Sequence, residues 1–266
     1  MRKIIIGLFF SALVAYSAQA YPQRIVSGIP SATETLFALG LGDRVVGVTT
    51  NCNYPPEAAR KPKVGGFALN LERVVSLQPD LLVLDENLQQ REIDRCRALR
   101  IPLLTLKPKT IDEVCGSIVN VADVAGVRER GEKLSAAIKR RVAAVEPKRL
   151  DLLFVLRRPR VLVIVGNEPL IVAGGGTLID DILKRLGAEN QAAGARSAYP
   201  QYSYERLLKD DPDYIIVPRG MVRRGEIEQR GKWPVLCIDP DLIARAGPRI
   251  ADAVEQIARF INEKKI

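Results

Sequence analysis

Side chains able to do covalent chemistry are scarce in this sequence. It contains no histidine, which removes Ser-His-Asp and Cys-His nucleophiles and every His-ligated zinc or iron site in one step. Serine, lysine and carboxylates remain, yet no GxSxG elbow, SxxK pair or close carboxylate pair stands where it could be activated. The four cysteines, Cys52, Cys96, Cys115 and Cys237, have no CxxC spacing, which speaks against a metal or redox centre. Gly174-Gly175-Gly176-Thr177, ahead of a helical pattern, resembles a phosphate cradle, because amides at a helix N-terminus attract anions. It lacks the P-loop lysine and the GxGxxG spacing, so a tight turn into the helix is the plainer reading. No catalytic residue and no metal ligand is expected.

What the residues offer is contact. Aromatics are only 5% of the chain, yet Tyr199, Tyr202 and Tyr204 crowd one loop rich in Pro, Ala and Ser. Tyr54 follows a strand pattern in Asn51-Cys-Asn-Tyr-Pro-Pro56, and Phe67 follows Gly65-Gly66 in another loop. Rings on strand-end loops suit a large, flat or apolar ligand, each adding about 1 kcal/mol beyond its buried area. Loop packing explains any one of them equally well; three such loops favour a shared purpose.

These loops need a scaffold, and the pattern supplies an α/β one. A hydrophobic fraction of 47% with 27% charged residues is a globular balance. The length of 266 residues suits one large or two modest domains. A net charge of +9 is compatible with an anionic partner, but the basic residues are scattered without interleaved aromatics, so a solvated surface and no nucleic-acid partner are expected. Apolar, β-branched runs at 25–27, 45–48, 81–84, 103–106, 161–165, 214–217 and 235–238 alternate with helical segments, which predicts largely parallel sheets. Ser31-x-x-Glu34 reads as a capping box for a helix ending at Gly40, and Asn70 and Thr110 as N-caps of two others. Between 127 and 145, Val127, Leu134, Ile138, Val142 and Val145 keep to one face, which predicts one long amphipathic helix. Ile250, Val254, Ile257 and Ile261 stripe a final helix over 248–265.

The two sides of the long helix repeat each other. LERVVSLQPDLLVL (71–84) matches YERLLKDDPDYIIV (204–217) at a constant offset of 133, with Glu, Arg, Pro and Asp recurring. The repeat predicts two similar α/β lobes joined by one long helix, with a ligand cleft between them. Met1-Arg2-Lys3, an apolar run over 4–14 and Ala18-Gln19-Ala20 form the three-part layout of a secretory signal peptide. The run is too short for the ~20 residues that span a bilayer. No cysteine follows the cleavage site, so no lipid anchor is expected. The division is therefore a signal peptide at 1–20, an N-terminal lobe at 21–126, a connecting helix and linker at 127–158, and a C-terminal lobe at 159–266. Export would place the thiols in an oxidising compartment. Cys96 and Cys115, on successive helices, are then the most plausible disulfide, with buried free thiols as the alternative.

An ordered set of motifs resembles a known family: 25–34 (IVSGIPSATE), 39–43 (LGLGD), 52–57 (CNYPPE), Leu71-Glu72 with Pro79-Asp80, Gly176-Thr177, Glu205 with Pro212-Asp213, and 244–249 (ARAGPR). The set is similar to the helical-backbone class of periplasmic substrate-binding proteins, which serve ABC importers of cobalamin, haem and ferric siderophores, and it covers nearly the whole mature chain. The resemblance implies a monomer in the periplasm without an intrinsic cofactor, and a permease dimer with its ATPase as partner. It implies Tyr54, Phe67, Tyr199, Asp241 and Leu242 as ligand contacts. Phe67, Tyr199 and Leu242 fall where cobalamin-binding members carry tryptophan. A corrinoid, cobalamin or cobinamide-like, is the expected ligand, with haem or a ferric siderophore as the alternative. Glu72 and Glu205, at equivalent places in the repeat, are the expected transporter-docking residues. Outside this class stands an exported enzyme that holds a phosphorylated substrate on the Gly174 loop.

Overall fold

The apolar runs become two parallel sheets in the computed structural model, which describes residues 21–147, 157–221, 227 and 231–263. The expected signal peptide and most of the 146–158 linker lie outside these residues. In chain order the elements are β1 (Ile25–Ser27), α1 (Pro30–Ala38), β2 (Val45–Val48), α2 (Pro56–Ala59), α3 (Leu71–Ser76), β3 (Leu81–Asp85), α4 (Gln90–Ala98), β4 (Leu103–Leu106), α5 (Ile111–Val124) and α6 (Arg128–Val145). The second half continues with β5 (Arg160–Gly166), β6 (Ile171–Val172), α7 (Leu178–Arg185), β7 (Glu189–Asn190), α8 (Tyr204–Asp210), β8 (Tyr214–Pro218), β9 (Val235–Ile238), α9 (Pro240–Ala244) and α10 (Ile250–Glu263). All seven expected strands are present; β6 and β7 have two residues each, too short to leave a sequence pattern.

The first sheet runs β2-β1-β3-β4, all parallel. In the second, β5 pairs in parallel with β7 and β8, and β8 with β9; β6 adds an antiparallel edge. β5, β7, β8 and β9 thus stand to one another as β1, β2, β3 and β4 do. The likeness extends to polar detail. Asp80 accepts the backbone N–H groups of Gln23 and Arg24 at 2.7 and 2.8 Å, while the Arg24 guanidinium donates to the Leu77 and Gln78 carbonyls at the end of α3. In the second half, Asp213 accepts the Arg160 N–H at 2.7 Å, and Arg160 donates to the Asp210 and Asp211 carbonyls. Gln78 and Asp211, 133 positions apart, are also two of the three non-glycine residues with positive φ among the described residues, at 46° and 40°.

The connection between lobes is wider than the sequence predicts. α6 spans its predicted stretch, burying Ile138 and Val142, but it does not act alone. α5 puts Ile111, Val114, Cys115 and Ile118 into the core of the C-terminal lobe, and Val121, Ala122 and Ala125 into that of the N-terminal lobe. Its first turn is pinned to α7, where Asp181 accepts the Ile111 N–H at 2.8 Å and Arg185 pairs with Asp112. The chain therefore crosses three times: from β4 to the start of α5, back along α5, and out again along α6. Gly131 makes the hairpin possible, because a Cβ there would stand 2.4 Å from the Ala122 Cβ. Each fully buried Ile in this seam contributes about 1.5–3 kcal/mol.

Two local expectations are overturned. The Ser31-x-x-Glu34 capping box does not form: α1 starts with Ile29 as N-cap and Pro30 in the first turn, without any side-chain cap. Pro30 at the first helical position puts Ser31 inside the helix rather than at its cap, and Glu34 is engaged elsewhere. Cys96 and Cys115 are not bridged. Cys96 packs with Val26 and Leu82 on the first sheet, Cys115 with Ile138 in the other lobe's core, and all four thiols are free. Burial pushes the Cys96 and Cys115 thiols above their ordinary pKa, which keeps them protonated and unreactive. The Asn70 and Thr110 caps form as expected.

Candidate functional site

Where the two sheets meet is decided by loops after β2 and β9. Asn53, beyond β2, donates to Asp241 in α9 at 3.1 Å. Arg245 donates to the Asn53 side chain at 2.8 Å and to the Asn51 carbonyl at 3.1 Å. The C-terminal edges of both parallel sheets consequently face each other, the place where open α/β sheets hold ligands.

A buried carboxylate anchors this junction. Glu34, its side chain 2% exposed, accepts from Arg245 at 2.9 Å and from Arg249 at 2.6 and 2.9 Å. Asp241 takes a second ion pair from Arg245 at 2.8 Å. Two arginines against two carboxylates leave no net charge, so mutual hydrogen bonding offsets the desolvation that burial demands. The hydrogen bond to Glu34 holds the Arg249 guanidinium above its ordinary pKa. The same guanidinium lies over the Tyr54 ring, 4.1 Å from its centroid, a cation–π contact that fixes one face of the ring.

The expected ligand residues separate into two groups. Tyr54, Phe67 and Tyr199 are exposed at 44%, 73% and 55%. Phe67 rides a tight hairpin in which Gly65 has φ +114° and pairs with Leu69. Its carbonyl accepts from the buried Gln89 amide, which also donates to the Gly28 carbonyl, so the loop is tied to the end of β1. Tyr199 lies on a strip along β6, held by Gly174 N–H to Ala198 O at 2.8 Å and Val172 N–H to Pro200 O at 3.1 Å. Asp241 is half-buried within the Arg245 network. Leu242 is the exception: at 6% exposed it packs into the C-terminal core with Ile243 and Ile250, so it supports α9 and offers little surface to a ligand. Tyr202 is likewise buried and donates to Asp210.

The glycine loop is occupied by the protein itself. Thr177 caps α7, accepting the Asp180 N–H, and the Asp180 carboxylate accepts the Gly176 N–H at 2.9 Å and the Asn190 amide at 3.1 Å. Burial opposes its ionisation, but hydrogen bonds from Lys184, Gly176 and Asn190 prevail and hold Asp180 below the usual carboxylate range. A phosphate would meet this buried anion, so the loop gives a phosphorylated substrate no cradle. Among the described residues, no group of three or more Cys, Asp or Glu could hold a metal ion, and no helix is long and apolar enough to cross a membrane.

Glu72 and Glu205 sit in the first turns of α3 and α8, both exposed. Asn70 and Ser203 already cap these helices through the Arg73 and Arg206 N–H groups, so neither glutamate is needed as a cap. Beside Glu72 lies an open groove of about 650 Å³ lined by Leu71, Val75, Arg95, Ala98 and Leu99.

Sequence reasoning missed Glu34, Asn53, Arg245 and Arg249 as site residues. Their traces were the 25–34, 52–57 and 244–249 motifs, and nothing in them linked Arg245 to a carboxylate 211 residues earlier.

Two duplicated α/β lobes facing each other across a cleft define a ligand-capturing protein. The chain belongs to the periplasmic binding protein family, which it matches over residues 25–229. It is a substrate-binding protein rather than an enzyme, and what such proteins hold is transported cargo rather than a resident cofactor. It is 32% identical to an uncharacterized ABC transporter substrate-binding lipoprotein, YvrC, of Bacillus subtilis (strain 168), over 90% of this chain and 80% of that one. It is 29% identical to the vitamin B12-binding protein of Pectobacterium atrosepticum, over 96% and 94%. Among solved structures, the periplasmic vitamin B12-binding protein BtuF of Vibrio cholerae superposes with a TM-score of 0.79 at 26% identity, covering 92% of this chain and 99% of that one. The apo periplasmic heme-binding protein RhuT of Roseiflexus sp. RS-1 gives 0.77 at 28% identity, covering 91% and 98%. The family implies an extracytoplasmic location and an ABC permease with its ATPase as partner.

Proposed function

We propose that the protein captures a corrinoid, cobalamin or cobinamide-like, in the periplasm and delivers it to an ABC importer. The observation that carries this is the set of exposed rings Tyr54, Phe67 and Tyr199 on loops of both lobes, above strand ends that face each other. The vitamin B12-binding relatives support it. Asp241 is the polar contact of the same cleft. In this reading residues 1–20 are removed on export without a lipid anchor. Residues 21–126 and 159–266 form the lobes of a monomer, with 127–158 between them, and Glu72 and Glu205 meet paired arginines of the permease dimer. Titration calorimetry with cyanocobalamin and cobinamide tests it; absence of heat and of thermal stabilisation with both rejects it.

A second ligand is favoured by the heme-binding neighbour. In this histidine-free chain Tyr54, an exposed phenol at the junction, is the candidate iron ligand. A tyrosinate charge-transfer band that disappears in Tyr54→Phe would replace the corrinoid with haem.

A further inference from the structure

The repeat exposes two pairs of apolar side chains at its offset, Val75 with Leu208 on helices and Leu88 with Met221 beyond strand ends, and the ligand reading leaves the second pair unused. Leu88 and Met221 are 67% and 42% exposed, and they are 133 positions apart, the offset that relates β3 to β8. Each stands three residues beyond the C-terminal end of its strand, Asp85 in one sheet and Pro218 in the other. Since the C-terminal edges of the two sheets face each other, both residues stand on the rim of the same cleft.

Each residue sits at a hydrogen-bonded turn. The Leu88 and Asn87 N–H groups donate to the Asp85 carboxylate at 2.9 and 2.8 Å. The neighbouring Gln89 is buried and bonded to Gly28 and to the Phe67 carbonyl, which ties the Leu88 turn to the Phe67 hairpin. The Met221 N–H closes a turn onto the Pro218 carbonyl through Gly220, whose φ of +81° a side chain would strain. An aliphatic and a thioether side chain are thus held out to solvent at matched places beyond facing strand ends.

We propose that Leu88 and Met221 are a matched pair of ligand contacts, one per lobe, which press on the apolar edge of the captured macrocycle and select against ligands with a uniformly charged periphery. This rests on the corrinoid-capture reading above. Neither side chain has a strong hydrogen-bond donor, so the pair recognises shape and apolar area, and the flexible thioether adapts to ring substituents.

The test is calorimetric titration of the full mature chain with cyanocobalamin and cobinamide, using Leu88→Ala, Met221→Ala, the double variant and Leu88→Asp. Leu208→Ala, also exposed but on α8, is the control. The expected result is about tenfold weaker binding for each alanine, about a hundredfold for the pair, and unchanged melting without ligand. Leu88→Asp should bind more weakly than Leu88→Ala. Wild-type binding with variants indistinguishable from Leu208→Ala overturns the pair while leaving corrinoid capture intact. A wild-type protein that binds neither corrinoid shows that the ligand reading itself has failed, before any variant is compared, and the pair falls with it.

Discussion

Glu34 and Arg249, 215 positions apart, are joined by two hydrogen bonds of 2.6 and 2.9 Å from one guanidinium to one carboxylate. The carboxylate belongs to the first helix of the N-terminal lobe and the arginine to the approach to the last helix of the C-terminal lobe. With Arg245 on the same carboxylate, the pair is a clasp on the ligand side of the molecule, and the Tyr54 ring leans on it.

Removing one partner should therefore do more than expose a surface charge. Glu34→Gln takes the carboxylate partner from Arg249 and leaves Arg245 its ion pair with Asp241, so a loss of about 3 kcal/mol is expected in urea unfolding. The Tyr54 fluorescence environment should change with it. A loss within the ordinary surface range of about 0.5 kcal/mol would show that the clasp contributes little.

Stability should depend on pH through Asp180. Its folded pKa is depressed, so it stabilises the native state fully above the unfolded value of about 3.9, and that contribution is lost as pH falls through the folded value. Urea midpoints should hold steady from neutral pH to about 5 and fall below about 4. Asp180→Asn should be less stable at neutral pH and flatter in the acid range. Parallel curves for the two proteins would assign the acid sensitivity to other carboxylates.

The proposed docking role of Glu72 and Glu205 can be separated from ligand binding. Glu72→Ala with Glu205→Ala should leave folding and corrinoid affinity nearly intact, since Asn70 and Ser203 retain the helix caps. Ligand-stimulated ATP hydrolysis by the reconstituted importer should fall steeply, because charge-assisted contacts set orientation and encounter rate. Normal transport by the double variant would reduce both residues to solvated charges.

Thiol chemistry offers a fourth check. Four free cysteines predict a melting temperature unaffected by reductant, and four thiols reacting with an aromatic disulfide reagent only after denaturation, apart from a slow reaction at the half-buried Cys237. Two thiols instead of four would restore the disulfide.

Closure on the ligand should be small. α5 and α6 together cross between the lobes, and a packed hairpin offers few positions able to absorb large φ/ψ changes. Small-angle scattering should show little change in radius of gyration on ligand addition; a large drop would point to a free hinge.

The fold was legible because its signals are local. Apolar β-branched runs, the Asn70 and Thr110 caps and the stripe on α6 each declare themselves within one element, and the repeat of 71–84 at 204–217 announced the second lobe. The exposed rings were legible for the same reason, standing in polar loops. What stayed hidden was long-range. Glu34 carries a respectable local explanation as half of a capping box, and no neighbouring residue hints at Arg245. Leu242 read as a ligand residue from its place in a motif, while its burial follows from how α9 sits against α10. The dual membership of α5 was hidden because its apolar stripe is continuous, and a stripe does not tell which core each turn enters.

The dual membership of α5 limits where the chain can be cut. A fragment of residues 21–126 would carry Ile111, Val114 and Ile118 with nothing to cover them, and a fragment of 127–266 would lack the wall those residues supply. Neither lobe completes its core without the other's side of the helical hairpin, although each has its own sheet. Expressed apart, the two fragments should aggregate or remain unfolded; mixed, they should reassemble. Moving the cut to the 107–110 turn would hand α5 to the second fragment, but it would strip Val121, Ala122 and Ala125 from the first. The two lobes have become mutual chaperones, and lobe swaps between relatives should succeed only when the helical hairpin travels with both of its faces matched.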